Sequence, residues 1–465
     1  MRVIIFGGSG LIGRALAENL LADKHDVIIL SRNPRKVKAM PIGAKIVAWD
    51  GETAKGWGEL VEGAHAIVNL AGASIAGENP FKMRWTKERK SAILQSRINA
   101  GRAITEAIKS AQHKPDILIQ ASAVGFYGPL GDENVDEKTP GGFDFLADVC
   151  EQWETSTKDI EALGVRRAVI RTGLVFSSKG GVFPLLGLPF KFFIGGTLGN
   201  GKQYLSWIHI NDVVTAIRFL IESGKSHGVY NLSAPHPITN RIFGKTLGSV
   251  MRRPSYFPVP ALAMKLALGE ASTLALDGQR VLPKRLEDAG FSFEFPNLEG
   301  ALADLLRRNL RFTHRFRVNA SLEAASDFHR NTEVLKQLTP LPILVQFHKV
   351  EPVGEGSSAD FTLWLGPFPI PWSAKHYDFD PPRGFKDIQL KGPFTFWDHH
   401  HAFIQIDDQT TEVVDDITAQ LGRHFYYGLV SRFMWLTLPI LFSYRAWQTR
   451  RLVEKYSHEI IDELN

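Results

Sequence analysis

The chain has 465 residues, of which 44% are hydrophobic and 22% charged, an ordinary composition for a globular protein. Its length suits about two or three domains, and a net charge of +5 gives no reason to expect a nucleic-acid partner. The single cysteine, Cys150, excludes an internal disulfide and fits a reducing compartment. No signal peptide precedes the first strand, and the apolar run 433–442 is about half of a membrane span. We therefore expect a cytoplasmic protein without an integral membrane segment.

The start of the chain predicts a strand–helix–strand unit that binds a dinucleotide. An apolar strand leads into a turn in which Gly7 would allow a tight bend and Gly10 would let a pyrophosphate approach the backbone. Gly13 would let the following helix pack closely on the sheet, with its amide-rich N-terminus directed at the phosphates. The cofactor contacts predicted in this turn are Gly7, Ser9, Gly10, Leu11 and Ile12.

The end of the second strand indicates which nucleotide is bound. NAD-binding folds usually place an acid about 20 residues after the glycine turn, where it takes the ribose 2′-hydroxyl. Here Ser31 and Arg32 stand in that place, and a hydroxyl with a guanidinium suits a 2′-phosphate. The pattern favours NADP(H) over NAD(H), with a solvated surface charge as the alternative for Arg32. After the next strand, Asp50 could accept a hydrogen bond from the adenine amine.

Strands and helices alternate to about residue 175, which predicts an α/β fold with a doubly wound parallel sheet, a Rossmann fold. The predicted strands after the second are 45–49, 66–70, 117–121 and 167–170. In such a sheet the ligand lies off the carboxyl ends of the strands. Small residues at those ends would let the backbone lie against the cofactor, and the predicted contacts there are Leu70, Ala71, Gly72 and Ala121.

Six motifs carry a family resemblance: GGSGLIG, SR, NLAG, SAVGFYG, RTGLVF and WIHIND. With them, residues 1 to about 305 resemble the atypical, extended short-chain dehydrogenases/reductases, and within these the NAD(P)-dependent epimerase-like family. The segment 276–286, LDGQRVLPKRL, is similar to that family's small C-terminal domain. The resemblance implies NADP as cofactor, lined by Ser31, Arg32, Leu70, Ala71, Arg97 and Val175.

The acid/base pair of that superfamily is missing from its expected place. Short-chain dehydrogenases use Tyr-x-x-x-Lys, in which the lysine lowers the pKa of the tyrosine. The register here falls near Phe145 and Val149, although Ser122 stands where a substrate-orienting serine is expected. Tyr127 and His209 are the candidates for a substitute acid/base. Each has a structural alternative, a packed ring for Tyr127 and a hydrogen-bonded buried residue for His209.

The substrate lobe is expected mainly in residues 178–206 and 235–305. Residues 180–206 are predicted to form a long loop rich in Gly, Phe and Leu, which includes Phe190, Phe192 and Phe193. If this loop covers the cleft, its side chains favour an apolar small-molecule substrate over a bare sugar nucleotide. The alternative is a packed insertion that fills the core of the lobe.

The pattern changes near residue 310, so we expect domains at 1–308 and 309–465. The second domain is predicted to contain a strand, two short helices, antiparallel strands and a terminal helix over about 428–464. This order resembles the α+β helix-grip fold of START-like, polyketide-cyclase-type proteins, which encloses an apolar cavity. The aromatic residues that could line the cavity, or merely fill the core, are Phe361, Trp364, Phe368, Trp372, Phe394, Phe396 and Trp397.

The run Asp398-His399-His400-His401 suggests a metal site at first sight. On a strand, His399 and His401 share one face and His400 points to the other. Two ligands are fewer than the three or four that protein zinc sites use, so we predict no metal.

The sequence leaves three functions open. The first is an NADP-dependent oxidoreductase or epimerase-like enzyme whose fused domain holds or delivers an apolar substrate. The second is a non-catalytic NADP(H)- and lipid-binding sensor or carrier, which the missing Tyr/Lys pair keeps open. The third is a purely structural platform.

Overall fold

The computed structural model describes residues 1–34, 41, 43–75, 84–307, 310–331, 333–422 and 425–463, without the side chains of 425 and 454–463. The chain divides into two units, residues 1–306 and 307–465.

The first unit is built on a parallel sheet, as the alternation of strands and helices predicted. Its strands are β1 (Arg2–Phe6), β2 (Asp26–Ser31), β3 (Lys45–Ala48), β4 (Ala66–Asn69), β5 (Ile117–Ala123), β6 (Asn134–Val135), β7 (Arg166–Thr172), β8 (Leu174–Phe176), β9 (Tyr204–Leu205), β10 (Trp207–His209), β11 (Gly228–Leu232), β12 (Ile238–Thr239) and β13 (Arg280–Val281). The central sheet has the order β3-β2-β1-β4-β5-β7-β11, and all its pairs are parallel. Because the order reverses between β1 and β4, the ligand site is expected at the carboxyl end of β1.

Helices cover both faces of this sheet because its strands are apolar on both sides. The helices of the whole unit, including those of its small lobe, are α1 (Leu11–Ala22), α2 (Lys87–Ser110), α3 (Phe145–Thr155), α4 (Phe183–Lys191), α5 (Ile210–Glu222), α6 (Asn240–Met251), α7 (Ala261–Leu268), α8 (Thr273–Leu276), α9 (Lys284–Asp288) and α10 (Leu298–Leu305). Along β1, Val3 and Ile5 pack in the core under α1 and α5. Ile4 and Phe6 pack in the core under α2. The alternation of side chains along one strand thus builds two apolar layers.

The periodicity of the sequence predicts helices over residues 145–163 and 274–281, and both helices are shorter in the structure. Residues 145–163 form α3 and then a separate 3-10 segment, Lys158–Leu163. At the break, the Ser156 and Thr157 hydroxyls donate to carbonyls three residues earlier and so compete with the helix. Residues 274–281 form the end of α8 and then β13, which pairs with β6.

The segment 180–206 is not the loop that the sequence predicted. It contains α4 and β9, and Phe190 is 3% exposed in the core of the small lobe, near Phe183 and Trp207. Phe192 and Phe193 are exposed instead. One face of this helix is therefore packed in the core of the lobe and the other is exposed, as helical spacing of apolar residues allows.

The second unit contains an antiparallel sheet and a long terminal helix. Its elements are β14 (Leu310–Val318), α11 (Leu322–Arg330), α12 (Val334–Gln337), β15 (Ile343–Val350), β16 (Ser358–Leu365), β17 (Phe368–Asp380), β18 (Gly384–Lys391), β19 (Phe396–Asp407), β20 (Thr410–Gln420) and α13 (Phe425–Glu463). The sheet order is β14-β20-β19-β18-β17-β16-β15, antiparallel throughout. The sequence pattern predicts one strand of this sheet over residues 402–407, whereas β19 begins at Phe396 and so includes the histidine run.

One face of α13 supplies the core of this unit. Leu438 and Phe442 are buried against Phe361 and Trp372 of the sheet, whereas Leu436 on the opposite face is 76% exposed. No helix in the described residues is long and apolar enough to cross a membrane.

The side chain of His209 forms the N-cap of α5. Its Nδ1 accepts a hydrogen bond of 3.1 Å from the backbone N–H of Asn211. The ring is 1% exposed, packs on Phe295 with 4.0 Å between centroids, and places Nε2 3.4 Å from Asp304 Oδ2. Burial lowers the pKa of His209 to about 4, against the opposing charge of Asp304. The residue is therefore neutral and structural near neutral pH.

This burial predicts a pH dependence of stability. In the unfolded chain His209 titrates near pH 6.5, so the unfolded state gains a proton as the pH falls towards 4 and the folded state does not. The stability contributed by neutral His209 is fully present above about pH 6.5 and is lost below it. Asn caps helices without titrating. Between pH 6.5 and 5, the free energy of unfolding of His209→Asn, measured by urea unfolding, should therefore fall by roughly 1–2 kcal/mol less than that of the natural chain. Equal losses in the two proteins would contradict this assignment.

Candidate nucleotide and substrate site

A cavity of about 570 Å³ lies off the carboxyl ends of the strands around β1. This is where a doubly wound sheet places its ligand. Most of the predicted cofactor residues meet here. Those that line the cavity are Gly7, Ser9, Gly10, Ser31, Arg32, Asp50, Leu70, Ala71 and Gly72.

Close backbone contacts explain the glycines of the turn. Gly7 has a φ of +71°, and a Cβ there would lie 2.6 Å from the carbonyl oxygen of Leu70. A Cβ on Gly13 would lie 2.5 Å from Gly8 Cα, where α1 packs on the turn. Gly10 differs, because its nearest neighbour would be Gly7 O at 3.1 Å and it borders the cavity. The missing side chain at Gly10 therefore leaves the backbone accessible to a ligand.

Arg32 and Asp50, for which the sequence predicts contacts with the adenosine half of the cofactor, both line this cavity. Arg32 is exposed, and its stem packs near Gly51, where a Cβ would lie 3.0 Å from Arg32 Cδ. Within the described residues, no side chain or carbonyl binds its guanidinium. The Asp50 carboxylate accepts hydrogen bonds of 2.8 Å from the backbone N–H groups of Glu52 and Thr53. Asp50 thus holds the turn beside a guanidinium that is available to a ligand.

Some predicted contacts lie outside this cavity, namely Leu11, Ile12, Arg97, Ala121 and Val175. Ala121 belongs to the core of the sheet, and Ile12 and Val175 pack against it. The cavity also has lining residues that the sequence reasoning missed, including Arg14, Asn33, Trp49, Gln95, Ser96 and Asn99. Arg14 Nε donates to Ser9 O at 2.9 Å, so a cation stands beside the glycine turn. The sequence signal for Arg14 was a basic residue directly after Gly13, the last glycine of the turn.

A second cavity, of about 230 Å³, lies at the ends of β5 and β7. Ala123 and Thr172 line it from the sheet, and the small lobe contributes residues 204–206 and 273–274. The ionisable side chains around it are Arg97, Asp144, Cys150, Tyr204 and Asp277. Its position at the same sheet edge makes it the candidate substrate cavity.

Arg97 stands between the two cavities. Its Nη1 donates to the carbonyls of Ala73, at 3.1 Å, and Ile93, at 2.8 Å, and Ala73 lines the first cavity while Arg97 lines the second. The guanidinium lies 4.7 Å from the centre of the Trp153 ring. Among the described residues its buried Nε has no hydrogen-bond partner. Burial lowers the pKa of Arg97 to about 10, so the group stays charged and keeps one donor unused.

Ser122 and Tyr127 belong to a buried hydrogen-bonded network instead of the second cavity. Ser122 Oγ donates to Glu154 Oε1 at 2.6 Å. Arg171 donates to both Glu154 oxygens, at 2.9 and 3.0 Å, and to Tyr127 Oη at 3.1 Å. Tyr127 Oη in turn donates to Asn231 Oδ1 at 2.7 Å. Tyr127 is 1% exposed, and burial raises its pKa. The hydroxyls of Ser122 and Tyr127 are thus both engaged in hydrogen bonds inside the unit. This favours the structural alternative for Tyr127 and a supporting role for Ser122 in the same network.

Cys150 is one of the ionisable residues of the second cavity that the sequence reasoning missed. It lines the second cavity beside Val149, next to the expected register of the Tyr/Lys pair, which was its signal. Its Sγ donates to the carbonyl of Ala123 at 3.7 Å. Burial raises the pKa of the thiol to about 11, so it keeps its proton at neutral pH. His209 lines neither cavity.

The second unit has a cavity of its own, of about 200 Å³, between the sheet and α13. Of the predicted aromatic residues, Phe361, Trp372 and Trp397 line it. Phe394 is buried in the core, and the others lie outside the cavity: Trp364, Phe368 and Phe396. Most of the lining is apolar, with a polar end that includes Asp387, His399, His401 and Arg445.

Two family models match the first unit. Residues 3–143 match the NAD dependent epimerase/dehydratase family, and residues 259–305 match a domain of unknown function, DUF1731. The second match agrees with the expectation of a small C-terminal family domain around residues 276–286.

Individual proteins show the same relationship. The epimerase family protein YfhF of Bacillus subtilis is 40% identical over 307 residues, which are 66% of this chain and 98% of the relative. The structure of human epimerase family protein SDR39U1 with NADPH is 33% identical, with a TM-score of 0.59, over 66% of this chain and 99% of that one. A nucleoside-diphosphate sugar epimerase of Corynebacterium glutamicum is also 33% identical, with a TM-score of 0.53, over 66% of this chain and 58% of that one. Over about its first 300 residues, the chain therefore belongs to the NAD dependent epimerase/dehydratase family.

Proposed function

We propose that the first unit binds NADP(H) and performs an oxidoreductase or epimerase-like reaction on a small molecule. The observation that carries this proposal is a pair of cavities at one edge of one parallel sheet, with Arg97 between them. The first cavity has the glycine turn and the guanidinium that suit a phosphorylated dinucleotide. The human relative whose structure contains NADPH supports this choice of cofactor.

The residues of the first cavity fit such a cofactor. The bare backbone at Gly10 and the N-terminus of α1 would hold the pyrophosphate, with the charge of Arg14 beside them. Ser31 and Arg32 would hold the 2′-phosphate, because a hydroxyl and a guanidinium both donate to it.

When bound, NADPH would supply a hydride to a substrate carbon. The chain would then stabilise and protonate the oxygen that becomes negative. The positive charge of Arg97, which lines the second cavity, is suited to stabilise this oxygen. Cys150 is suited to donate the proton, because its thiol is protonated at neutral pH and an alkoxide is a stronger base than a thiolate. Ser122 and Tyr127 would act indirectly, by fixing the wall of the cavity.

A second candidate function is binding of NADP(H) without turnover, as a sensor or carrier. It is favoured by the apolar residues Phe145 and Val149 at the expected Tyr/Lys register and by the occupied hydroxyl of Tyr127. The two candidates share the cofactor and differ only in whether the second cavity supports chemistry.

For the second unit we propose a START-like role in holding an apolar ligand. A seven-stranded antiparallel sheet packs on a long C-terminal helix, and the cavity between them is lined mainly by aliphatic and aromatic side chains. Such a lining favours an apolar ligand with few polar groups.

The cofactor preference can be tested with Arg32→Ala. Charged hydrogen bonds contribute roughly 1.5–3 kcal/mol, so NADPH should bind about 10–100-fold more weakly while NADH affinity stays nearly constant. Titration calorimetry on the full chain measures both. Arg102→Ala, which removes an exposed guanidinium of α2 outside this cavity, is the matched control. Equal losses for the two dinucleotides would show that Arg32 does not contact the 2′-phosphate.

Turnover separates the two candidate functions of the first unit. We expect the full chain to oxidise NADPH in the presence of a small aldehyde or ketone. The reaction is monitored by the loss of nicotinamide absorbance. Cys150→Ala should lower the rate about 100-fold. Tyr127→Phe should lower the unfolding midpoint, because buried hydrogen bonds are lost, and leave the rate nearly unchanged. NADPH that binds but is never oxidised across a carbonyl panel would support the sensor function.

Filling the cavity of the second unit tests the proposed apolar ligand. Anilinonaphthalene sulfonate should bind the full chain saturably and be displaced by a medium-chain fatty acid. Leu441→Trp, which adds volume inside the cavity, should reduce this affinity about tenfold. Leu436→Trp, on the exposed face of the same helix, should not. Unsaturable binding, or equal effects of the two variants, would reject the ligand role.

A further inference from the structure

Three adjacent strands of the second unit bring two histidines and two aspartates to one face of the sheet. His399 and His401 alternate along β19 and so share a face. Asp387 of β18 is the register partner of His399, and Asp415 of β20 is the register partner of His401. Directly opposed residues of antiparallel strands point to the same side. The four side chains therefore cluster, although they come from three separate segments.

Asp387 faces one nitrogen of each imidazole. Its Oδ2 lies 3.4 Å from His399 Nδ1 and 3.2 Å from His401 Nε2. Donor atoms of these three residues all lie within 4.8 Å of one another. Around a metal ion with ligand bonds of about 2.0–2.2 Å, neighbouring donor atoms lie roughly 3–3.5 Å apart. The spacing between Asp387 and each histidine is thus that of ligands to one ion.

Asp415 faces the other nitrogen of each imidazole. Its Oδ1 lies 3.1 Å from His399 Nε2 and 3.2 Å from His401 Nδ1. Asp415 is 6% exposed, so its carboxylate is held inside the unit. Histidines that bind a metal almost always donate their other ring N–H to a carboxylate, a carbonyl or water. Asp415 is that outer acceptor for His399 Nε2, and it lies beside the Nδ1 of His401, which has no hydrogen-bond partner among the described residues.

Protons alone leave part of this arrangement unsatisfied. Two of the four contacts are hydrogen bonds, His399 Nε2 with Asp415 Oδ1 and His401 Nε2 with Asp387 Oδ2, whereas the buried Nδ1 of His401 has no hydrogen-bond partner among the described residues. Hydrogen bonds at the other two contacts as well would require both nitrogens of both rings to carry protons, although the ring centroids of His399 and His401 are only 3.8 Å apart. A neutral imidazole instead turns one bare nitrogen lone pair towards a carboxylate oxygen. A cation bound to one nitrogen of each ring takes up such a lone pair and leaves the other nitrogen of each ring on the side of Asp415.

We propose that the second unit binds one divalent transition-metal ion through Asp387, His399 and His401, with Asp415 orienting the ring of His399 from behind. Two imidazoles and a carboxylate suit Zn²⁺, Fe²⁺ or Co²⁺ better than Mg²⁺ or Ca²⁺, which prefer oxygen ligands. The sequence reasoning counted only the two histidines of β19. The third ligand comes from β18 and is visible only once the strands are in register.

The three ligands line the apolar cavity, so the remaining coordination positions would face it. Three protein ligands with an open position are typical of catalytic rather than structural zinc sites. Charged and titratable groups of other elements also border the cavity: Arg445 on α13, His329 on α11 and His376 on β17. His329 Nδ1 donates a hydrogen bond of 2.8 Å to the carbonyl of Ala325, and His376 Nδ1 lies 3.1 Å from Ser357 Oγ. A metal ion here would polarise an oxygen group carried by an otherwise apolar ligand.

Metal loading of the tag-free full chain tests this proposal. After dialysis against a chelator, the protein is loaded with Zn²⁺ or Co²⁺, passed through a desalting column and analysed for metal. We expect about one equivalent to be retained, with a visible Co²⁺ absorption of mixed nitrogen and oxygen ligation. His399→Gln, His401→Gln and Asp387→Asn should each weaken Zn²⁺ binding at least about 100-fold, and Asp415→Asn about 10–100-fold.

His400→Gln is the matched control, because it removes an imidazole from the same strand on the opposite face and should keep full metal content. Thermal unfolding of each variant identifies any that fail to fold. Loss of metal in a variant that melts like the natural chain supports the site. Retention of no metal by the natural chain, or equal losses in His400→Gln and His399→Gln, would overturn it and leave a proton-bridged network. NADPH binding to the first unit is measured separately, so neither result of the metal experiment bears on the function proposed for the first unit.

Discussion

The first unit depends on how closely the backbone passes at the turn between β1 and α1. A side chain on Gly7 would meet the carbonyl of Leu70 at 2.6 Å, and one on Gly13 would meet Gly8 at 2.5 Å. Because backbone packs on backbone here, β1, β4 and α1 converge without intervening side chains. The edge of the sheet in front of Gly10 stays open as a result. The cavity and the helix N-terminus that borders it both follow from this contact.

The buried arginines of the first unit show where its polar groups are already satisfied and where they are not. Arg171 is paired with both oxygens of Glu154, and this pair also engages the hydroxyls of Ser122 and Tyr127. Arg97 has no such carboxylate in the described residues and leaves its Nε without a partner. A buried charge without a counter-charge costs free energy. Arg97 therefore keeps an unused donor in the wall between the two cavities, whereas the network around Arg171 is satisfied.

The cavity of the second unit combines an apolar lining with a polar cluster. Its sheet and α13 enclose an apolar space, yet a cluster of two aspartates and two histidines lies at one end of it. Taking these groups out of water is costly unless each finds a partner of matching chemistry. Strand register supplies those partners from three strands, so the cluster is a property of the sheet and not of any one segment.

The sequence by itself determined the βαβ unit and its glycine turn, and it identified Ser31 and Arg32, at the end of the second strand, as residues that border the cavity. These depend on local spacing, since a strand, its turn and its helix are consecutive in the chain. Tertiary structure alone decided that Tyr127 and His209 are buried in structural contacts, because each also contacts a residue about 90 or more positions away in the chain, Asn231 for Tyr127 and Asp304 for His209. It also decided which aspartates face His399 and His401. Such contacts depend on helix packing and strand register, which join distant segments and leave no local pattern.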